Sequence, residues 1–326
     1  MRKFSVLTMF LAVFIILAAC SNSTNENERE NEQPKKQTEA SHKELEGTVV
    51  IDGSGTVYPL MAKLAEEYMI NEQENVSIEV SRAGTSAGFK KFLEANGTDF
   101  NNASRQIKEE EVSQAEELGI EIKELKVALD GLTFVIHKEN DWAQQLTDEQ
   151  LQEIFLADGT YETWSDINAD WPDEPIHTYG PNENHGTYEF FFENVLEERN
   201  LRDDINLQQE YSTLVSLIED DPYGIAFFGF GYYVNNTDKL QAVHVDFGDG
   251  PVQPTLDTIA EDGDYAAFTR PVFTYLNVNN AQAKREVLDF AQYVIKNMND
   301  FAGETGFAPI PDEEISESLD YLQSLQ

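Results

Sequence analysis

The chain is 326 residues long and carries 61 acidic side chains against 22 basic ones, a formal net charge of −39. So acidic a surface repels nucleic acid and anionic lipid, which removes both from the partners to consider. The single cysteine, Cys20, leaves no internal disulfide and no cysteine-based metal site.

Residues 1–20 are set apart from the rest. Arg2 and Lys3 precede an apolar run from Phe4 to Leu17, too short for a stable membrane span, and Leu17-Ala18-Ala19-Cys20 ends it. This is the pattern of an export signal, and its end resembles a bacterial lipobox in which Cys20 becomes the lipidated first residue. From Ser21 to about Leu45 the chain is Ser, Asn, Glu, Gln and Lys without apolar periodicity, a solvated tether. The expectation is a protein on the outer face of the cytoplasmic membrane, anchored by a multiply acylated Cys20, since one acyl chain binds only marginally. Roughly 280 residues follow, enough for two domains.

The folded part reads as strands alternating with helices. Val49-Val50-Ile51 runs through Gly53-Ser54-Gly55-Thr56 into Leu60, Leu64 and Tyr68 at helical spacing. Val76, Ile78 and Val80 alternate as in a half-buried strand, and Gly84-Thr85-Ser86 opens a helix with Phe89, Phe92 and Leu93 on one face, Thr85 or Ser86 being its candidate cap. A charged helix over 109–118 and two strands, 120–127 and 132–137, come next. Thr147 and Gln150 form a capping box for a helix carrying Leu151, Ile154 and Phe155, and Trp164 reads as core. Ile176–Tyr179 then leads through Gly180-Pro181 to His185-Gly186-Thr187 and another helical stripe, Tyr188, Phe191, Phe192 and Val195. The apolar runs Tyr223–Gly229 and Arg270–Leu276 and a helix over 281–297 complete the chain. The class is α/β with mostly parallel sheet. Three strand–glycine/hydroxyl–helix junctions in one chain suit one anion, because a helix start has free N–H donors and the positive end of its dipole.

Seven stretches together resemble the phosphate-binding proteins of bacterial ABC phosphate importers, in their lipoprotein form. They are Gly53–Leu60, Gly84–Lys90, Asn102–Arg105, Leu146–Ile167, Tyr179–Phe191, Tyr223–Gly229 and Arg270–Phe273, in the family's order from about residue 46 to 312. The resemblance implies a two-lobed periplasmic-binding-protein fold with the ligand in the cleft. Lobe one would be 46–129 with 270–326 and lobe two 130–269, with crossings near Asp130-Gly131 and Phe268–Arg270. It also implies a phosphate shell of Ser54, Thr56 and the Val57 N–H, Thr85, Ser86, Ser104 and Arg105 from lobe one, with Gly186 and Thr187 from lobe two. Arg105, able to hold two oxygens at once, is the expected anion clamp. The implied protein is a monomeric receptor without enzymatic activity, cofactor or metal, delivering phosphate to a membrane permease.

Two positions depart from the family pattern. His185 stands where relatives often have serine, and can donate a hydrogen bond or carry charge. Ser104 stands where relatives often have a carboxylate, which would accept the hydrogen of a protonated phosphate and repel a fully ionised oxyanion. Asp130 or Asp52 could supply that acceptor, although each also reads as a turn or capping residue. The alternatives are a receptor for sulfate or molybdate, or a surface sensor or adhesin on the same fold. A hydrolase finds little support: the five histidines are scattered, and neither a nucleophile elbow nor a P-loop lysine is present. Phe190-Phe191-Phe192 and Phe227-Phe228 read as packing rather than a sugar platform.

Overall fold

The computed structural model describes residues 44–326. The export signal, Cys20 and nearly all of the tether lie outside the described residues. Leu45, assigned by sequence to the tether, is buried, and its N–H donates to Gln73 Oε1 at 2.9 Å, so the folded body already includes it.

Strand β1 (Gly47–Gly53) buries Val49 and Ile51 completely and turns through Ser54–Val57 into α1 (Tyr58–Asn71). Pro59 sits in the first turn of α1, where its missing N–H is harmless. The chain continues through β2 (Val76–Val80), α2 (Thr85–Phe92), β3 (Phe100–Ala103) and α3 (Glu109–Leu118). Gly84, rather than Thr85 or Ser86, caps α2. Next comes β4 (Ile122–His137), one continuous strand where sequence reading separated two; Asp130 and Gly131 lie within it instead of forming a turn.

The second half holds β5 (Gln145–Thr147), α4 (Asp148–Phe155), α5 (Trp164–Ile167), β6 (His177–Pro181) and α6 (Gly186–Phe190). The expected capping box forms, with Gln150 N–H donating to Thr147 Oγ1 at 3.1 Å and Thr147 N–H to Gln150 Oε1 at 2.9 Å. Then follow β7 (Asn206–Gln208), α7 (Tyr211–Asp220), β8 (Gly224–Gly229), α8 (Phe230–Val234), β9 (Leu240–Ala242), β10 (His244–Asp246) and β11 (Pro251–Val252). Strand β12 (Thr269–Asn277) returns to the first half, where α9 (Val278–Ala283), α10 (Arg285–Ala302) and α11 (Asp312–Ser324) end the chain. The expected single helix over 281–297 is thus two, broken at Lys284.

Nine strands form one sheet in the order β2-β1-β3-β12-β4-β8-β6-β7, with β9 also beside β4. Pairing is parallel within β2-β1-β3 and within β8-β6-β7, and antiparallel where β4 and β12 cross between these groups. A crossover through a helix forces parallel neighbours, so each half repeats the strand–turn–helix unit and sends its turns towards the strand ends. The crossing strands hold the two sets of turns opposite each other.

The second half packs around rings. Phe134 lies 5.7–6.4 Å from Phe155, Phe191, Phe227 and Phe268, and Phe191 comes within 4.1 Å of Phe227. A π-helical turn over Phe191–Val195 continues α6, with the Leu196 N–H reaching back to Phe191 O at 2.9 Å; both Phe191 and Val195 face the core. Phe191, Phe227 and Phe228 are therefore packing residues.

In the first half Asp99 fastens the C-terminal helices to the sheet. Its fully buried carboxylate accepts from the Val50 N–H at 2.9 Å and from Asn280 Nδ2 and Lys284 Nζ, each at 2.8 Å. Asp99→Ala removes the partner of the half-buried Val50 N–H and releases Asn280 and the partly exposed Lys284. A stability loss of about 2 kcal/mol is expected, seen as a lower urea midpoint at unchanged slope. A loss below about 1 kcal/mol would show that apolar packing alone holds these helices.

Candidate anion-binding site

The three glycine/hydroxyl junctions meet. Ser54 and Thr56 follow β1, Thr85 opens α2, Ser104 follows β3, and Gly186 and Thr187 open α6; all four hydroxyl residues of the first half and Thr187 are buried. Ser54 Oγ lies 3.0 Å from Ser104 Oγ, which is 3.3 Å from Thr85 Oγ1. Thr56 Oγ1 is 2.9 Å from Thr187 Oγ1, a contact between the halves. Two glycines make this approach possible. Gly84, at φ +106°, would place a Cβ 2.3 Å from the Asn184 carbonyl, and one on Gly186 would lie 2.6 Å from Ser104 Oγ.

Two groups at the centre were not assigned to it from sequence. Arg270 of β12 is 3 % exposed; its Nη2 donates to Asp130 Oδ2 at 3.0 Å and Thr187 Oγ1 at 2.7 Å, and its Nη1 to Gly186 O at 2.9 Å. Its guanidinium also lies over the Phe190 ring at 5.0 Å, so Phe190 borders the cleft while its neighbour Phe191 fills the core. Asp130 is fully buried and takes the Phe230 N–H on its other oxygen at 3.2 Å. Burial pushes the Asp130 carboxyl upward, against the pull of Arg270 and the Phe230 and Gly131 N–H groups. Tyr211, the first residue of α7, brings its hydroxyl to 3.0 Å from Thr56 Oγ1 and 2.8 Å from Thr187 Oγ1. It stacks on Tyr232 at 4.6 Å, and burial raises its phenol. Arg270 and Asp130 stand directly opposite each other on β12 and β4, a pairing that only the strand register reveals.

Arg105 and Ser86 stand apart from these hydroxyls. Arg105 grips Glu111 with Nη1 and Nη2 at 2.8 and 2.9 Å and donates from Nε to Glu189 at 2.5 Å. Ser86 Oγ accepts from Arg105 Nη2 at 3.0 Å and donates to Glu189 at 3.2 Å. Burial lowers the Arg105 pKa, but Glu111 and Glu189 together raise it further than burial lowers it. Arg105 borders a cleft of about 980 Å³ that reaches from Gln106 and Lys108 past Phe190 and Asn194 to Ser104 and Arg270. Val57 is fully buried as the N-cap of α1. Asp52 accepts the Gly53 and Ala83 N–H groups at 2.8 and 2.9 Å and pairs with Lys91, which makes it a turn residue. Among the described residues no group of three or more His, Cys, Asp or Glu side chains is placed to hold a metal.

His185 is buried in front of Gly186. Its Nε2 lies 2.8 Å from the Gln209 carbonyl, which can only accept, so the proton sits on Nε2 and Nδ1 is left without a partner. Its ring meets the Tyr211 ring edge-on at 5.0 Å. The position therefore packs and orients Tyr211 rather than offering a free donor. Burial lowers the His185 pKa below its ordinary 6.5, with the Gln209 carbonyl and Glu210 opposing. A depressed histidine stabilises the fold above the unfolded pKa and loses that contribution as pH falls through the folded value. The urea-midpoint advantage of the native chain over His185→Asn is thus expected at pH 7.5 and should shrink by pH 5.5; an advantage constant across that range would contradict the burial argument.

Several hydroxyls from helix starts, one buried guanidinium and one buried carboxylate make a shell of many donors with one acceptor, suited to a small oxyanion. A family model described as the PBP superfamily domain matches residues 38–297. The chain is 36% identical over 281 residues to the phosphate-binding protein PstS of Staphylococcus saprophyticus, covering 86% of each. It is 33% identical over 325 residues to the protein of that name from Staphylococcus epidermidis, covering 99% of this chain and 94% of the relative. Among solved structures it resembles a possible phosphate-binding protein from Planctomyces limnophilus, with 32% identity, a TM-score of 0.61 and coverage of 86% and 99%. A second resembles it at 25% identity and TM-score 0.67 over 81% of this chain and all of the other: a phosphate ABC transporter substrate-binding protein from Clostridium perfringens with bound phosphate. With its two-half α/β fold and a shell of donors between the halves, the chain belongs to the PstS-like phosphate-binding proteins of the PBP superfamily.

Proposed function

We propose that the protein captures inorganic phosphate outside the cytoplasm, anchored at the membrane face through Cys20, and delivers it as a monomer to the permease of an ABC importer. Family membership supports the ligand class, and the observation that carries the reading is Arg270, a buried guanidinium bonded to the Gly186 carbonyl and to the Thr187 hydroxyl, which itself meets Thr56 of the other half. No described helix is long and apolar enough to cross a membrane, which fits a tethered receptor.

In this reading Arg270 and the hydroxyls of Ser54, Thr56, Thr85, Ser104, Thr187 and Tyr211 replace the water around phosphate, with N–H groups at Val57 and Gly186 from the helix starts. Residues 46–129 with 270–326 act as one lobe and 130–269 as the other, hinged where β4 and β12 cross. Phosphate favours closure because only the closed form presents both halves at once. Asp130, whose oxygens already accept from Arg270 and the Phe230 N–H, takes with a remaining lone pair the acceptor role for which Ser104 is unsuited, recognising the hydrogen of a protonated phosphate; a fully ionised sulfate brings no such hydrogen and sets its charge against the carboxylate. His185, turned to Gln209, acts by holding Tyr211.

Calorimetric titration of ligand-stripped protein should give tight 1:1 phosphate binding and no heat with sulfate. Arg270→Ala should weaken phosphate binding by about 100-fold or more, since a buried charge-assisted contact is worth about 3 kcal/mol or above. Sulfate binding equal to phosphate would leave the fold as an oxyanion receptor of another specificity. Silence with both would favour the sensor or adhesin reading.

A further inference from the structure

Glu189 makes one of several connections between the halves outside the hydroxyl shell, and the most shielded ion pair among them, since Arg82 and Glu210, 3.1 Å apart, are both exposed. It lies in α6, and its partners all come from the other half: Arg105 Nε at 2.5 Å, Lys108 Nζ at 2.9 Å and Ser86 Oγ at 3.2 Å. The Arg105 and Glu189 side chains are only 9 % and 13 % exposed, so the pair is shielded from solvent and weakly screened by salt. Arg105 is held in place from its own half by Glu111, which grips both terminal nitrogens and also accepts the Lys108 N–H at 2.8 Å. The Phe89 ring backs the guanidinium at 5.1 Å. Arg105 is thus fixed before the halves meet, and Glu189 is the one member that arrives on closing. None of these atoms bonds to Ser54, Thr56, Thr85, Ser104, Thr187 or Arg270.

We propose that Glu189 with Arg105 and Lys108 is a latch that holds the closed form at the cleft mouth, so that it sets how long the ligand is retained rather than how fast it enters. The inference takes its ligand from the phosphate reading above. Opening separates a carboxylate from two cations and a hydroxyl, while entry proceeds through the open cleft, where the latch is unmade. Glu189 is accordingly a positioning residue whose effect falls on dissociation. Its place in α6, two residues after Thr187, couples it to the shell: the helix turn that delivers the Thr187 hydroxyl also delivers the carboxylate.

Glu189→Gln keeps the size of the side chain and removes its charge. Stopped-flow measurement with phosphate should show release about tenfold faster at an unchanged association rate, and Glu111→Gln, which leaves the contact between halves in place, should change release by less than about threefold. An unchanged release rate in Glu189→Gln, an equal fall in association, or an equal effect of Glu111→Gln would each overturn the latch. Small-angle scattering of the phosphate-loaded proteins gives a second reading: Glu189→Gln should have the larger radius of gyration, and identical radii would overturn the proposal. Failure of the native chain to bind phosphate would refute the ligand reading together with the inference that rests on it, whereas binding with native release in Glu189→Gln would refute the latch alone.

Discussion

The ion pair between Arg270 and Asp130 is the constraint on which the rest of the site depends. It joins the two strands that cross between the halves, at the place where β4 leaves the first set of strands for the second. Two buried charges are tolerated only when paired and hydrogen-bonded, and here the further bonds that each makes serve the architecture. Asp130 receives the first N–H of α8, and Arg270 reaches the carbonyl and hydroxyl that open α6. The pair therefore fixes the crossing register, the entry of α8 and the position of Thr187 together. Removing either charge would strand the other where β4 and β12 cross.

Around this pair, the fold follows from repetition of a simple unit. A strand ends in glycine and hydroxyl residues and turns into a helix, and parallel pairing brings successive turns to one edge of the sheet. Those turns were readable because their composition is local: Gly53–Thr56, Gly84–Ser86 and Gly186-Thr187 announce themselves within a few residues. The shared strand β4 was harder. Asp130-Gly131 looks like a turn in isolation, and only pairing with β12 on one side and β8 on the other keeps it extended.

The two arginines show the same limit. Arg105 follows Ser104 at a junction, so its sequence context offers it as the anion clamp; its engagement by two glutamates, six and 84 residues further on, is not visible there. Arg270 lies in an apolar strand that gives no hint of a ligand, and its direction is set by a partner 140 residues earlier. Tyr211 likewise sits at a helix start that carries no glycine signature. Periodicity shows which face of an element is buried. It does not show which elements face each other, and the centre of this site is made of such non-local meetings.

This arrangement also resolves how so acidic a chain can be built to hold an anion. The protein opposes its ligand with a charge of −39, but screening confines that field to about 8–10 Å at moderate salt. Inside that distance the charges cancel: Asp130 answers Arg270, and Glu111 and Glu189 answer Arg105 and Lys108. What faces the ligand is then close to neutral and rich in oriented O–H and N–H dipoles. Such dipoles discriminate by geometry and by protonation state, whereas a bare positive pocket would accept any anion that fits. A receptor that must choose one oxyanion among several gains more from donors of fixed direction than from charge, and an acidic surface leaves that choice intact.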